Sequence, residues 1–248
     1  MEKVVIGVVH LLPLPGSPEY VNFEEVIDRA VQDAKAIEDG GADALIIENY
    51  GDRPFLKEVG KEVVACMTAI ASEIKREVSI GLGINVLRND AIASLSIAKA
   101  VNADFVRVNQ LFFTSVSPEG LLEGNAGKIM RYKRQIDCKA MIFADIMVKH
   151  AVHFARLKEY CLNAERSFAD ALIVTGEATG REVRVEDLRF VRKEVRMPVL
   201  AGSGVNAENV KNVIKYCDGI IIGSYIKRSG RVDAERVSKI VRLTKGER

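Results

Sequence analysis

The sequence predicts an α/β fold, a single (β/α)8 TIM barrel with residues 1–248 as one domain. Three observations predict it. First, apolar segments rich in Val and Ile alternate eight times with helix-like stretches. Strict β–α alternation requires a parallel sheet with crossover helices. Second, the apolar segments are mostly continuous, as suits parallel strands buried on both faces. Third, nearly every segment ends in a polar or glycine signature: VVHLLPLPG (8–16), IIENYGDRP (46–54), LGINVLRND (82–90), VRVNQLFFT (106–114), IFADIMVKH (142–150), IVTGEATG (173–180), LAGSGV (200–205) and IIGSYIK (221–227). In such barrels the active site is built from strand C-terminal ends and the loops after them. An open dinucleotide-binding sheet would want GxGxxG after its first strand, and that motif is missing.

The elements follow in order. A strand over 4–10 leads to a helix over 23–41, where Val26, Ile27, Ala30, Val31, Ala34 and Ile37 share one face and Gly40–Gly41 can stop it. A strand over 43–49 precedes a helix over 61–78. A strand over 79–85 precedes a helix over 89–101, with Asn89–Asp90 as N-caps. Strands over 104–110, 139–145 and 170–176 precede helices over 119–136, 153–168 and 184–195. A strand over 198–203 precedes a helix over 206–217 capped by Asn206, and a strand over 219–224 precedes the last helix, 234–245. Within the fourth unit SPEGLLEGNAG (117–127) is long and glycine-bearing, a candidate lid or specificity loop.

Composition excludes several function classes. The net charge is +2 and basic residues interleave with acids, as in KEVGKE (57–62), so no nucleic-acid partner is expected. No stretch approaches the roughly 18 apolar residues of a membrane span, and no integral membrane contact is expected. Met1 leads straight into an apolar strand, so no signal peptide is expected. The four cysteines are scattered without a CxxC, as in a reduced, cytoplasmic protein. Oligomeric state stays open, a homo-oligomer included.

Period-two alternation assigns the inward side chains. His10, Glu48, Asn85, Arg107 with Asn109, Asp145, and Thr175 with Glu177 then converge on one mouth. Charged groups are costly to bury unpaired, so six polar strand ends argue for an active site. Asp145, Glu48 and Glu177 are the acid/base candidates. Lys149 could bind an anion or form a Schiff base. His10, Asn49, Asn85, Arg107, Asn109, Thr175 and Thr179 are the substrate-binding candidates. Arg107 could instead neutralise Glu48 or Asp145 inside the barrel. Strands seven and eight end in Gly202-Ser203-Gly204 and Gly223-Ser224, where barrels often bind phosphate through loops and a nearby helix N-terminus. Glu48 plus Asp145 could hold Mg²⁺ beside that phosphate. His150 and His153 are three apart, a weak metal pair without a third ligand nearby.

These residues carry a resemblance. VVHLLPLPGSP (8–18), DALIIENYGDRPF (43–55), GINVLRND (83–90), FVRVN (105–109), EGLLEGNAGKIMRYKR (119–134), ADIMVKHA (144–151), DALIVTGEATG (170–180) and VLAGSGVNAENV (199–210) resemble the BtpA family, also called BtpA/SgcQ, in order along almost the whole chain. The resemblance implies a ribulose-phosphate-binding-barrel-like architecture. It also implies a link to photosystem I biogenesis, in which the founding member is implicated. It supplies no verified catalytic residues.

The functional expectation is a cytoplasmic enzyme acting on a small phosphorylated substrate, a sugar or nucleoside phosphate. Isomerase, lyase and glycosyl-bond-cleaving chemistry stay open. A phosphoribosylanthranilate isomerase would want a strand-one cysteine, which VVIGVVHL lacks. The rivals are a non-enzymatic assembly or stability factor and a metal-dependent hydrolase.

Overall fold

A computed structural model describes residues 3–176 and 182–246. Eight parallel strands close into a barrel: β1 (Val4–His10), β2 (Ala44–Glu48), β3 (Gly81–Asn85), β4 (Phe105–Val108), β7 (Met141–Ile146), β9 (Ala171–Val174), β10 (Val199–Gly202) and β11 (Gly219–Ile222). β1 and β2 pair to complete the ring. Between them run α1 (Phe23–Asp39), α2 (Lys61–Glu77), α3 (Ala91–Val101), α4 (Ala126–Gln135), α5 (Leu157–Asn163), α6 (Val185–Glu194) and α7 (Val210–Val213), and α8 (Ala234–Lys245) follows the last barrel strand. The expected alternation is therefore observed.

Two layers of apolar side chains explain the architecture. Outward residues of the strands meet the helices: α1 buries Val26, Ala30, Ala34 and Ile37, the face read from its spacing. Inward residues Ile6, Val8, Ala44, Ile46, Phe105, Ile173, Leu200 and Ile221 fill the barrel with Phe143. Phe105 stacks on Phe143 at 4.6 Å. Gly83 makes room for that stack, because a Cβ there would lie 2.2 Å from the Phe105 ring. This layer is a packed plug, and it forces polar side chains to the mouth above it.

The bottom of the barrel shows a device the sequence reading did not anticipate. Asp43, Asp104, Asp170 and Asp218 each stand just before a strand and accept the N–H of a neighbouring strand's residue: Val5 at 2.8 Å, Leu82 at 2.8 Å, Ile142 at 2.7 Å and Val199 at 2.9 Å. These carboxylates satisfy strand-start donors and serve stability, not chemistry.

Helix boundaries differ where short strands intervene. The expected helix over 119–136 is instead β6 (Gly120–Glu123) followed by α4, because Leu121 and Leu122 alternate outward and inward. β6 pairs with β5 (Thr114–Ser117), which pairs in turn with β8 (Val152–His153). Gly120, at φ +97°, makes the turn of this hairpin. The helix expected over 153–168 shortens to α5 plus a 3₁₀ turn at Glu165–Ser167, because Val152–His153 is spent on the sheet. The helix over 206–217 shortens to α7 and a 3₁₀ turn. Asp90 caps α3 as expected, taking the Ala93 N–H at 2.8 Å. Asn206 does not cap a helix directly; its Oδ1 takes the N–H groups of Glu208 and Asn209 in the turn before α7. Between β11 and α8 the chain forms a hairpin of β12 (Lys227–Arg228) and β13 (Arg231–Val232).

Candidate active site

The inner-face pattern brings the expected side chains together. His10, Glu48 and Asn85 are register partners across β1, β2 and β3. Arg107 of β4 rises between Glu48 and Asp145. Its Nε and Nη2 donate to the two Asp145 oxygens, each at 2.9 Å, and its Nη1 donates to Glu48 Oε1 at 3.0 Å. Asn85 Nδ2 donates to the same Glu48 oxygen at 2.9 Å, and Asn109 Nδ2 donates to Asp145 Oδ2 at 2.9 Å. All five side chains are buried. A buried charge needs partners, and here each carboxylate has them.

Glu48 Oε2 is placed differently. Its near neighbour is His10 Nε2 at 3.7 Å, and the His10 ring stacks on Tyr50 at 4.3 Å. Burial pushes the His10 imidazole down to about 4, with Glu48 opposing and Lys227, Lys149 and Arg107 reinforcing. At neutral pH the 3.7 Å approach is thus a neutral imidazole beside a carboxylate, not an ion pair. Burial opposes charge on Glu48, but Arg107, then His10, Lys149 and Asn85 outweigh it and hold the carboxyl below its usual range. Burial and Arg107 lower Lys149, against the pull of Glu48 and Asp145. Burial lowers Lys227 to about 8, against Asp33 and Glu48.

The mouth has two lobes. One, of about 290 Å³, is bounded by Gly202-Ser203-Gly204 and Gly223-Ser224 on one side and by His10, Glu48, Arg107 and Lys149 on the other. The second, of about 230 Å³, shares Glu48, Arg107 and Lys149 and continues over Asn85, Arg88, Asn109 and Tyr50. Pro118 and Glu119, at the tip of the β5–β6 hairpin, cover that lobe. The segment read as a candidate lid therefore reaches the mouth as a hairpin. Gly223 approaches the His10 imidazole so closely that a Cβ there would lie 3.3 Å from it. Ser203 has φ +152°, a region L residues rarely adopt.

Several expected residues sit elsewhere. Asn49 is tied into the loops: its Oδ1 accepts the Leu87 N–H at 2.6 Å, and its Nδ2 donates to Leu87 O and Asp52 Oδ2, both at 3.1 Å. Thr175 donates to Met147 O at 3.4 Å and borders neither lobe. Asp145 lines neither lobe: it is buried, and its two oxygens are taken by Arg107 and Asn109. Glu177 and Thr179 lie outside the described residues. The Mg²⁺ reading of Glu48 with Asp145 is corrected, because the Arg107 guanidinium occupies the space between the two carboxylates and neutralises them. The His150–His153 pair is corrected too, since His153 uses both ring nitrogens on Tyr160 Oη at 3.0 Å and Val148 O at 2.9 Å. Among the described residues the loop after β10 leads into α7, a helix of four residues, and the hairpin β12–β13 follows β11. Any anion there would rest on the loops themselves.

The sequence reading missed Arg88, Tyr50, Glu119 and Lys227. Arg88 and Tyr50 lie within quoted strand-end motifs, LRND and ENYG, so position relative to the strand end was the available signal. Lys227 closes the quoted strand-end motif IIGSYIK and reaches the site on the hairpin after β11.

A protein of Archaeoglobus fulgidus called uncharacterized is 74% identical over 246 residues, 99% of this chain and 100% of the relative. The photosystem I biogenesis protein BtpA of Synechocystis is 41% identical over 247 residues, 96% of this chain and 86% of that protein. Among solved structures, (S)-3-O-geranylgeranylglyceryl phosphate synthase from Thermoplasma acidophilum, in complex with its substrate sn-glycerol-1-phosphate, superposes with a TM-score of 0.67 at 19% identity. That superposition covers 99% of this chain and 94% of the other, and it shows a shared barrel fold. Among the described residues no helix is long and apolar enough to cross a membrane. The BtpA family model matches residues 1–246, and this chain belongs to the BtpA family.

Proposed function

We propose that this barrel is a cytoplasmic enzyme acting on a small phosphorylated metabolite, a sugar or nucleoside phosphate, by acid/base chemistry at its mouth. One observation carries the reading: the two glycine-serine loops face the same 290 Å³ pocket as Glu48, His10 and Lys149. The sn-glycerol-1-phosphate complex of the Thermoplasma synthase, on the same fold, supports a phosphorylated ligand class. Glycine lets backbone N–H groups approach an anion, and the serine hydroxyls add donors.

In this reading Gly202–Gly204 and Gly223–Ser224 hold the phosphate. Lys149 adds positive charge between phosphate and reacting carbon. Glu48 Oε2 takes or returns the proton, since Oε1 is engaged by Arg107 and Asn85. Neutral His10 orients a hydroxyl or carbonyl beside it. Asp145 fixes Arg107 and so keeps Glu48 charged, and Glu177 stands as a further acid/base candidate. Such a set suits an isomerase or lyase, both of which move a proton next to a carbonyl.

A thermal-shift panel tests this, with inorganic phosphate and ribose, fructose and nucleoside phosphates. A ligand at about 100 times its dissociation constant stabilises a fold by about 2.7 kcal/mol. The reading expects shifts with phosphorylated compounds that vanish in Ser203→Asp. A flat panel on folded protein contradicts it.

One observation favours a second reading, an assembly factor. Val116, Leu121 and Val152 are exposed register partners on the β6–β5–β8 sheet, with exposed Phe154 beside them. Val152→Asp would then abolish the cellular role while Glu48→Gln leaves it intact; the enzyme reading expects the reverse.

A further inference from the structure

Four buried side-chain atoms lack a hydrogen-bond partner among the described residues, and two of them, Asn109 Oδ1 and Arg88 Nε, belong to residues lining the same 230 Å³ lobe. Asn109 is 3% exposed and Arg88 5%. The orientation of Asn109 is chemically fixed. A carboxylate only accepts hydrogen bonds, so the amide nitrogen must face Asp145 and the oxygen must be the group left over. Arg88 is fixed on one side, because its Nη2 donates to Lys149 O at 2.6 Å. Its Nε lies 3.6 Å from Glu119 Oε2, too far for a hydrogen bond, and that oxygen already accepts from Ser117 Oγ at 2.7 Å. Folded chains rarely leave buried polar atoms unpaired, and the exceptions call for an explanation.

We infer that this lobe is a second subsite, which takes the hydroxyl-bearing sugar portion of the substrate whose phosphate the glycine loops hold. The inference rests on the phosphate reading above and extends it. The lobe offers one orphan acceptor and one orphan donor. Hydroxyl groups answer both, donating to Asn109 Oδ1 and accepting from Arg88 Nε. The two lobes meet at Glu48, Arg107 and Lys149, so a ligand spanning them places its middle carbons beside Glu48 Oε2. One of the two aromatic rings of the lobe, Tyr50 beside Phe55, is already engaged. Tyr50, the ring lining the lobe nearest the site, already stacks on His10 and carries Arg53 over its face at 5.3 Å.

Calorimetric titration tests the subsite with inorganic phosphate, ribose 5-phosphate, 2-deoxyribose 5-phosphate and free ribose. In the wild-type protein ribose 5-phosphate should bind about tenfold or more tighter than inorganic phosphate, the gain expected of one or two new hydrogen bonds. The deoxy compound should lose part of that gain. In Asn109→Leu and in Arg88→Lys, each checked for folding by circular dichroism, the ratio of the two affinities should fall towards one. Equal wild-type affinities for phosphate and ribose 5-phosphate overturn the subsite, as does a ratio unchanged in both folded variants. The wild-type series needs no variant, so a misfolded mutant cannot hide the answer. If inorganic phosphate fails to bind, the phosphate reading falls separately. Free ribose then decides: saturable binding lost in Asn109→Leu supports the lobe, and no binding overturns it.

Discussion

Arg107 and Asp145 form a two-pronged pair inside the barrel, Nε to Oδ1 and Nη2 to Oδ2 at 2.9 Å each, and the third prong of the same guanidinium reaches Glu48 at 3.0 Å. The triad organises the mouth: it engages both oxygens of Asp145 and leaves one oxygen of Glu48 towards the pocket. Removing its centre strands two buried carboxylates. Arg107→Met should therefore cost about 3–5 kcal/mol of stability, the range for breaking a buried ion pair. Chemical denaturation at neutral pH measures it, and a loss near zero would show that the triad does not hold the barrel.

The two carboxylates should separate in their effects. Glu48→Gln keeps the shape of the side chain and should leave the fold intact while lowering turnover by about 10²–10⁴-fold, the usual contribution of a positioned base. Asp145→Asn instead turns a donor towards Arg107 or Asn109, and should cost about 1–3 kcal/mol of stability. Paired melting curves and rates, on whichever substrate the thermal-shift panel identifies, check this. Turnover unaffected in Glu48→Gln would remove Glu48 from the chemistry.

Stability should depend on pH through His10. Its folded value, about 4, lies below the ordinary 6.5, so between those values the unfolded chain binds more protons. Stability is then fully present above about pH 6.5 and is lost as pH falls towards 4. A shift of this size is worth roughly 3 kcal/mol. Replacing His10 with Asn should flatten the stability curve across that window. Melting temperatures from pH 7.5 to 4, wild type against His10→Asn, check it, and identical slopes would refute it.

At the opposite end of the barrel, Asp170→Ala leaves the Ile142 N–H without its 2.7 Å acceptor. It should lower stability by about 1–3 kcal/mol with no change in phosphate affinity. Denaturant melts and phosphate titration measure the two halves of that statement.

The barrel was legible because strand continuity and strand-end polarity are local. β1 matches its expected bounds, and period two alone put His10, Glu48, Asn85, Arg107 and Asp145 on one face. What was not legible depends on distant partners. Leu121 and Leu122 read as helix until Ser115 and Val116 are available to pair with them. Asn49 reads as a site residue until Leu87, on the next loop, claims its amide. Asp145 and Glu48 read as a cation pair until Arg107 is seen to stand between them. Arg88 was hidden in a motif whose neighbours cap a helix.

In the proposed function the loops after β10 and β11 hold a phosphate beside Glu48. A crystal structure of the protein grown with ribose 5-phosphate tests it most directly. The expected density places the phosphorus between Gly202–Gly204 and Gly223–Ser224, with the sugar directed past Glu48 towards Asn109 and Arg88. A phosphate bound elsewhere, or an unliganded mouth at saturating concentration, would contradict it.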